Sequence, residues 1–528
     1  MLKIILFIIF LGGIAEAKTA TKKLVYCMEG SPATLNPQLA TDSISINASS
    51  QTMFNRLVQL NHETKQIEPS LATSWTISKD HKTYTFKLRK NVAFHSNEFF
   101  KPSRFFNADD VIYSFKSQMD SKYPLAIPAG GYEFFKAMQL DEIIADVIKI
   151  DSGTVVFKLK KAEAPFLADL KMDFASQLSA EYAQYLIDSG KGLGTIATHP
   201  IGTGPFSFKS YQKDSNLRFS AFANYFDTRP KIEELIYVIA SDSNVRLQKT
   251  KVGECDVMSE PQPQEIENIK TDKNFNLFST EGLNIGYVAF NNSKKPFDNL
   301  KVREALSFAM NKKSYINLIY NSQGTVAKNP IPPGLWSYDA SIKDDEYNIE
   351  KAKKTLTEAG FPDGFKLELW TLPVSRPYMP NGKKLGELIQ ADLAKIKVTV
   401  KLQTYDWATY LEKSKNGDYD MIEFGWTGSN GDPDNFFGVL LTCSAIQAGS
   451  NYAHWCNSEF DQLIKSAKEE LEQSKRSELY KKAQQIFKKE KPWVPIAHSR
   501  LNKVTHKNVI DFQMDSFGHV QFEKADIR

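Results

Sequence analysis

The length of the chain excludes a fold built around one hydrophobic core. Single cores stop growing at about 250–300 residues, whereas this sequence has 528. Its composition, 42% hydrophobic and 24% charged, is that of a globular protein rather than a disordered one. We therefore expect two or three structural units. The net charge of +4 is small and evenly distributed, so no nucleic-acid partner is expected.

The first residues have the pattern of a secretory signal peptide. Lys3 precedes an apolar run at residues 4–14, and Ala15-Glu16-Ala17 matches a small-x-small cleavage site. The run is about half the roughly 20 residues that a membrane-spanning helix needs. We expect residues 1–17 to be a signal peptide cleaved after Ala17, which leaves a soluble, monomeric protein in the periplasm.

Strand-like and helix-like periodicities are mixed along the chain, which predicts an α/β fold. Strands are predicted where apolar residues alternate with polar ones: Tyr84, Phe86 and Leu88, and again Val398, Val400 and Leu402. Helices are predicted where apolar residues recur at helical spacing: Val302, Ala305, Leu306 and Ala309 after Asp298-Asn299, and Leu479, Ala483 and Ile486 in a charged segment.

Residues 421–431 are predicted to form a strand that ends in a turn. The segment from Met421 to Trp426 is apolar, and Thr427-Gly428-Ser429-Asn430-Gly431 is rich in turn-forming residues. In open α/β sheets, ligands bind beyond the carboxyl ends of strands. This loop is therefore a candidate ligand contact.

The four cysteines are an even number in a chain predicted to enter an oxidising compartment, which favours two disulfides. Three pairings are possible, and Cys443 and Cys456 are close enough in sequence to clip a loop after the candidate segment. None of the cysteine spacings resembles a metal-binding pair, so no metal is expected.

Motifs of common secreted hydrolases and nucleotide enzymes are missing from the sequence. There is no G-x-S-x-G, H-E-x-x-H or G-x-x-x-x-G-K-[ST], and the eight histidines are scattered. We therefore expect no enzymatic activity, no catalytic residues and no cofactor.

The segment Phe424-Gly-Trp-Thr-Gly-Ser-Asn-Gly-Asp-Pro-Asp-Asn-Phe-Phe437 closely resembles the ligand-contact segment of periplasmic dipeptide-binding proteins, the solute receptors of peptide ABC importers. Further landmarks of these receptors occur in the same order over some 400 residues: Leu71-Ala-Thr-Ser-Trp75, Tyr84-Thr-Phe-Lys-Leu-Arg89, Phe106-Asn-Ala-Asp-Asp-Val111, Pro200-Ile-Gly-Thr-Gly-Pro-Phe206, Val302-Arg-Glu-Ala-Leu306 and Arg376-Pro-Tyr378.

The resemblance implies a two-lobed, type II periplasmic binding protein of the Venus-flytrap kind. Lobe I would comprise residues 18–281, with an inserted subdomain at about 55–203, and residues 500–528 would return to it. Lobe II would comprise residues 282–499. The lobes would close on the ligand, and an inner-membrane ABC permease would recognise the closed state. The resemblance also implies that Cys27 pairs with Cys255, and Cys443 with Cys456.

A buried site for a zwitterionic peptide needs a cation for its carboxylate and an anion for its amine. Arg376 matches the family position that binds the carboxylate, which a guanidinium can hold through two parallel hydrogen bonds. Tyr378 would offer a hydroxyl to the ligand backbone, or it would be a tyrosine of the core. Trp426 would line a side-chain pocket, Thr427 would contact the ligand backbone, and Gly428 is a further predicted ligand contact.

Ser429 departs from the pattern, because relatives usually have an aspartate there that pairs with the ligand's amino group. Loss of one partner of a desolvated charge pair costs roughly 2 to 5 kcal/mol, so a simple dipeptide should bind weakly. Asp432 and Asp434 are the nearest acids that could compensate. The favoured role for them is to shape the turn and cap the segment that follows, because relatives that keep the usual aspartate also carry this Asp-Pro-Asp run.

Several ligands remain open after this substitution. The pocket could take short peptides through backbone hydrogen bonds, which is the leading hypothesis, or a ligand with an acid but no free amine. The resemblance also leaves haem, glutathione and antimicrobial peptides open, because receptors for these ligands occur among similar proteins. Residues 440–446 and 453–456 resemble Sap-type binding proteins in particular. An alternative of another class is a periplasmic chaperone-like protein.

Overall fold

The computed structural model describes residues 21–61, 66–127 and 132–528. The predicted signal peptide lies outside the described residues. None of the helices in the described ranges is long and apolar enough to cross a bilayer.

The described residues contain twenty strands. They are β1 Lys23–Met28, β2 Val58–Leu60, β3 Ile67–Pro69, β4 Ala72–Ile77, β5 Thr83–Leu88, β6 Ile144–Asp151, β7 Thr154–Leu159, β8 Phe206–Gln212, β9 Asn216–Ala221, β10 Glu234–Ile239, β11 Val257–Ser259, β12 Phe275–Glu281, β13 Asn284–Phe290, β14 Gly324–Val326, β15 Lys366–Trp370, β16 Thr399–Gln403, β17 Met421–Thr427, β18 Trp493–His506, β19 Val509–Ile510 and β20 Asp526–Ile527.

The same ranges contain eighteen α-helices. They are α1 Ser43–Ala48, α2 Ser50–Met53, α3 Ala108–Met119, α4 Glu133–Ala137, α5 Leu140–Ile143, α6 Phe166–Asp169, α7 Ala180–Asp188, α8 Ser243–Lys251, α9 Ile266–Thr271, α10 Leu300–Ala309, α11 Lys312–Ile319, α12 Ile349–Glu358, α13 Gly382–Ala394, α14 Trp407–Asn416, α15 Asp434–Leu440, α16 Cys443–Gln447, α17 Ser458–Glu469 and α18 Gln473–Glu490.

Twelve strands form one mixed sheet. Its main order is β16-β15-β17-β13-β18-β11-β1-β10-β9-β8, and β12 and β14 also pair with β18. Parallel pairing joins β15 to β16 and β1 to β10, whereas β13 and β17 are antiparallel. A separate antiparallel sheet, β4-β5-β7-β6, lies within the segment predicted as the inserted subdomain.

Strand β18 belongs to both halves of the large sheet. Its first half pairs with β13, with Trp493 opposite Ala289, and its second half pairs with β12, with Arg500 opposite Glu281. Only Gly282 and Leu283 separate β12 from β13. A Cβ added to Gly282 would lie 2.8 Å from the Ser499 carbonyl oxygen, so the two chain segments touch where they pass from one half-sheet to the other.

The strands and helices predicted from periodicity are present. Tyr84, Phe86 and Leu88 are the buried residues of β5. Helix α10 begins after Asn299, whose side chain accepts a hydrogen bond from the Lys301 N–H. The predicted strands at 398–402 and 421–426 correspond to β16 and β17.

The buried face predicted for the late helix is wrong by one position. Helix α18 does form, and Ala483 is buried in it, but Leu479 and Ile486 are only partly buried. The aromatic rings of Tyr480 and Phe487 occupy the core instead, because they pack on Phe437 and Trp493. Helical spacing predicts that one side of the helix is buried, but the large aromatic side chains determine which residues lie at the middle of that side.

Both predicted disulfides are confirmed. Cys27 is bonded to Cys255, and Cys443 to Cys456. The first bond joins β1 to the residues just before β11, and the second closes the loop around α16.

The two disulfides should contribute unequally to stability because they close loops of different length. The sequence separations are 228 and 13 residues. Loop-closure entropy gives on the order of 5 kcal/mol for the long loop and 3 kcal/mol for the short one. We expect denaturant unfolding, followed by circular dichroism, to show a larger loss for Cys27→Ser/Cys255→Ser than for Cys443→Ser/Cys456→Ser. The reverse order would contradict the entropic explanation.

Candidate ligand-binding site

Strand β17 carries the predicted ligand segment at its carboxyl end. It lies between β13, where Thr427 opposes Asn284, and β15. The strand ends at Thr427, and the N–H of the next residue, Gly428, donates to the Leu283 carbonyl at 2.7 Å. A Cβ at Gly428 would lie 2.5 Å from the ring of Phe436, so the close approach of that ring requires glycine. The backbone after Thr427 is therefore fixed.

Asn435 holds two of the predicted site residues in place. Its amide oxygen accepts hydrogen bonds from the Trp426 indole N–H at 3.3 Å and from the Ser429 backbone N–H at 3.0 Å. Its own amide nitrogen donates to the sulfur of Met138. Sequence reasoning missed this residue. In the sequence it is one polar residue among several in a turn-forming segment, and only the structure shows that its amide is buried at the start of α15.

Arg376 and Tyr378 lie in a tight turn of the loop between β15 and α13. The Arg376 N–H donates to the Met379 carbonyl at 3.1 Å, and the Met379 N–H donates back at 2.9 Å. The Arg376 guanidinium carbon lies 5.2 Å from the ring centre of Trp407. Among the described residues, no carboxylate lies within ion-pairing distance of this guanidinium. The arrangement leaves a cation without an anionic partner.

The Tyr378 side chain connects this loop to β17. Its buried ring packs on Gly425, where a Cβ would lie 2.1 Å from the ring, and its carbonyl accepts a hydrogen bond from the Tyr320 hydroxyl at 2.7 Å. Burial raises the pKa of Tyr378, and the hydrogen-bonded Arg376 guanidinium opposes that rise. Two segments that are distant in sequence therefore meet on one strand.

Glu423 supports the same loop from inside the sheet. This carboxyl is fully buried and accepts a hydrogen bond from the Leu372 N–H at 2.9 Å. Gly382 makes room for it, because a Cβ there would lie 2.7 Å from a Glu423 oxygen. Burial raises the pKa of Glu423 well above its usual value. Sequence reasoning missed this residue, which lay within an apolar strand pattern.

Asp432 and Asp434 are engaged within the protein. Both oxygens of Asp432 accept hydrogen bonds from Arg476, at 2.8 and 2.9 Å, and Asp432 also accepts from the Asp434 N–H. Asp434 lies 3.5 Å from the Lys468 ammonium. Asp432, Asp434 and Arg476 are buried, and Lys468 is nearly so. These contacts match the turn-shaping role, and the Asp434 oxygen that accepts no hydrogen bond from the described residues, Oδ1, is itself buried.

Ser429 borders a cavity of about 980 Å³. Among the described residues that line it, Ser429 is the one predicted site residue. The Lys171 ammonium donates to the Ser429 carbonyl at 2.8 Å and lies 4.0 Å from the ring centre of Phe517. The loop after β17 therefore lies beside both an open cavity and the Lys171 ammonium.

Comparison with known families identifies this scaffold. The family model for bacterial extracellular solute-binding proteins, family 5 (middle region), matches residues 66–448. The chain belongs to family 5 of the bacterial extracellular solute-binding proteins. This membership confirms the resemblance drawn from the sequence.

Family 5 relatives match nearly the whole chain. The dipeptide-binding protein of Escherichia coli is 46% identical over 512 residues, which cover 97% of this chain and 96% of that protein. Heme-binding protein A of Haemophilus influenzae is 44% identical over 486 residues, which cover 92% and 88%. The dipeptide-binding protein of Pseudoalteromonas sp. SM9913, solved with Met-Leu, has a TM-score of 0.88 and 36% identity, and the match covers 96% and 100%. The predicted two-lobed, type II fold class is therefore confirmed.

We expect Glu423 to be protonated in the folded protein. A proton that the native state keeps and the unfolded state releases makes the free energy of unfolding fall as pH rises above the unfolded pKa, about 4.3, by at most about 1.4 kcal/mol per pH unit. Glu423→Gln should therefore be at least as stable at pH 7 and less sensitive to pH between 5 and 7. Urea unfolding at several pH values would measure this. Glu387→Gln, at a 43% exposed carboxyl on α13, is the matched control. An unchanged pH dependence in Glu423→Gln would contradict this prediction, because a carboxylate that is ionised in both states contributes no slope between pH 5 and 7.

Proposed function

We propose that this protein is the periplasmic substrate-binding component of a peptide ABC importer. It captures a peptide or peptide-like solute and delivers it to an inner-membrane permease. The observation that carries the proposal is the Arg376 guanidinium, which lies beside Trp407 and Tyr378 on a loop that packs against the ligand strand and has no carboxylate partner in the part of the chain that the structure describes. Names of family 5 relatives support the peptide class.

The proposal includes secretion and a non-catalytic role. The signal peptide would be cleaved after Ala17, and the mature monomer would act in the periplasm. Arg376, Tyr378, Trp426, Thr427, Gly428 and Ser429 are the proposed ligand contacts. Capture would be binding alone, with no chemical step.

The two proposed lobes meet where two chain segments cross between half-sheets. Lobe I would be residues 18–281 and 500–528, with the subdomain at 55–203, and lobe II would be residues 282–499. The passage from β12 to β13 and the middle of β18 support these limits, because both lie at the junction of the half-sheets. Two short crossings allow the lobes to move as rigid bodies on binding.

Haem is the second candidate ligand, because a relative named heme-binding protein A is 44% identical. A spectroscopic titration with haemin separates the two candidates. Haem binding that persists in Arg376→Ala, together with no binding of any peptide, would favour haem over the peptide assignment.

Arg376 should bind the ligand's carboxylate. We expect N-acetyl-Ala-Ala to bind the protein, after unfolding and refolding to remove resident ligand, about 30-fold to several thousand-fold more tightly than it binds Arg376→Ala. Isothermal titration calorimetry would measure both affinities.

The C-terminal amide of the same compound provides the matched test. The amide should bind the native protein weakly, because it lacks the carboxylate that pairs with the Arg376 guanidinium. For the same reason, its affinity should fall little further in Arg376→Ala. Arg218→Ala removes an exposed arginine that pairs with Glu234 and serves as the control. Equal binding of acid and amide by the native protein would contradict the role of Arg376.

The serine at position 429 should make free-amine dipeptides poor ligands. We expect Ser429→Asp to bind Ala-Ala roughly 30-fold or more tightly than the native protein, because the carboxylate supplies the missing partner of the ammonium. Ser429→Asn, which has the same shape without the charge, should show no such gain in calorimetry. Tight binding of Ala-Ala by the native protein would mean that another acid replaces the missing aspartate.

A further inference from the structure

Lys171 has an ammonium whose hydrogen-bonding capacity is mostly unused. The side chain is buried, and it donates to the Ser429 carbonyl and lies over the Phe517 ring. An ammonium has three N–H donors, so two remain. No carboxylate of the described residues lies within 4 Å of it to form an ion pair. The neighbouring charges therefore decide whether this cation is already neutralised.

The other cations beside Ser429 have their own acids. Arg56 lies 3.6 Å from Asp173, and His519 lies 3.4 Å from Asp515. Although burial opposes both charges, His519 and Arg56 keep the pKa of Asp173 below its usual value, and Asp515 raises the pKa of His519. These two pairs leave Lys171 as the cation in excess at this position.

Asp169 is the remaining nearby acid, and it is not a partner for Lys171. Burial raises its pKa well above the usual range, and its carboxyl accepts a hydrogen bond from the Asn430 amide at 2.8 Å. Burial also lowers the pKa of Lys171 to about 8, against the pull of Asp515 and Asp173. The lysine therefore remains mostly charged at neutral pH.

The cavity beside Ser429 offers donors rather than free carboxylates. The buried Nε and Nη1 of Arg56 have no hydrogen-bond partner among the described residues, and both Arg56 and Lys171 line this space. The volume, about 980 Å³, is within the range of sites for drug-sized ligands. Of the other lining acids, Asp511 is paired with Lys231, and burial raises the pKa of Glu523 to about 7. Glu68 and Asp227 accept hydrogen bonds from the neutral groups of Gln59, Asn61 and the Thr228 N–H and keep their charge.

We propose that the Ser429 end of the site binds a carboxylate, which Lys171 receives. The ligand would be a peptide-like compound with an acid at each end: its C-terminal carboxylate on Arg376, and a second carboxylate reaching past Ser429 into the cavity. This inference rests on the proposed function and adds the chemical class of the ligand's other end.

The proposal predicts an order of affinity for three compounds that differ only at the amino end. N-succinyl-Ala-Ala places a carboxylate there, N-acetyl-Ala-Ala a neutral methyl group, and Ala-Ala an ammonium. Two like charges in a poorly solvated site repel, and opposite charges attract. The succinyl compound should bind most tightly and Ala-Ala most weakly.

Calorimetric titration of the native protein and Lys171→Met with these compounds tests the inference. Methionine keeps most of the side-chain volume and removes the charge. We expect the native protein to prefer N-succinyl-Ala-Ala over N-acetyl-Ala-Ala by at least tenfold, and Lys171→Met to lose that preference while it still binds the acetyl compound. Above pH 8, the native preference should also shrink as Lys171 loses its proton. Lys191→Met, which removes an exposed lysine that also lies over an aromatic ring, Phe99, is the matched control.

The outcomes separate this inference from the proposed function. Equal affinities of the native protein for the succinyl and acetyl compounds would overturn the role of Lys171 and leave the peptide assignment intact. A succinyl preference that survives in Lys171→Met would also overturn it. If none of the three compounds binds the native protein, the peptide assignment and this inference fail together.

Discussion

The backbone hydrogen bonds of β18 are the interaction on which the rest of the architecture depends. One continuous strand of 14 residues pairs with β13 in one half of the sheet and with β12 in the other. The two half-sheets therefore share one hydrogen-bonded seam. The loops that carry the proposed contacts extend from β15 and β17, which both lie on the β13 side of this seam, so their spacing is set by sheet geometry rather than by the loops themselves.

Buried ion pairs keep the loop after β17 in one conformation. The Asp432–Arg476 pair makes two parallel hydrogen bonds, and Lys468 lies between Asp434 and Glu163. Removal of one partner from such a pair leaves an uncompensated buried charge, at a cost of about 3–5 kcal/mol. The same contacts explain why an acid-rich segment offers no exposed acid to a ligand: Asp432 is paired with Arg476, and Asp434 is buried beside Lys468.

Local sequence patterns predicted the strands and turns of the site, but they could not predict its supporting contacts, which join residues far apart in the sequence. Apolar alternation and turn residues were enough for β17 and its end, and the family resemblance supplied the disulfide pairs. Lys171 is 258 positions from Ser429 along the chain, and no periodicity relates them. In the sequence, Glu423 is only a polar residue within an apolar strand. Only the structure shows that Gly382 leaves room for its buried carboxyl group. The late helix shows the same limit, because spacing could not tell that Tyr480 would be buried more deeply than Leu479.

Ser429 is held entirely through its backbone. Its N–H donates to Asn435 and its carbonyl accepts from Lys171, whereas its hydroxyl group makes no hydrogen bond with the residues that the structure describes. The side chain at this position can therefore be exchanged without altering the path of the chain. Such a position lets evolution change what a receptor recognises in single steps, each of which leaves a folded protein for the next step.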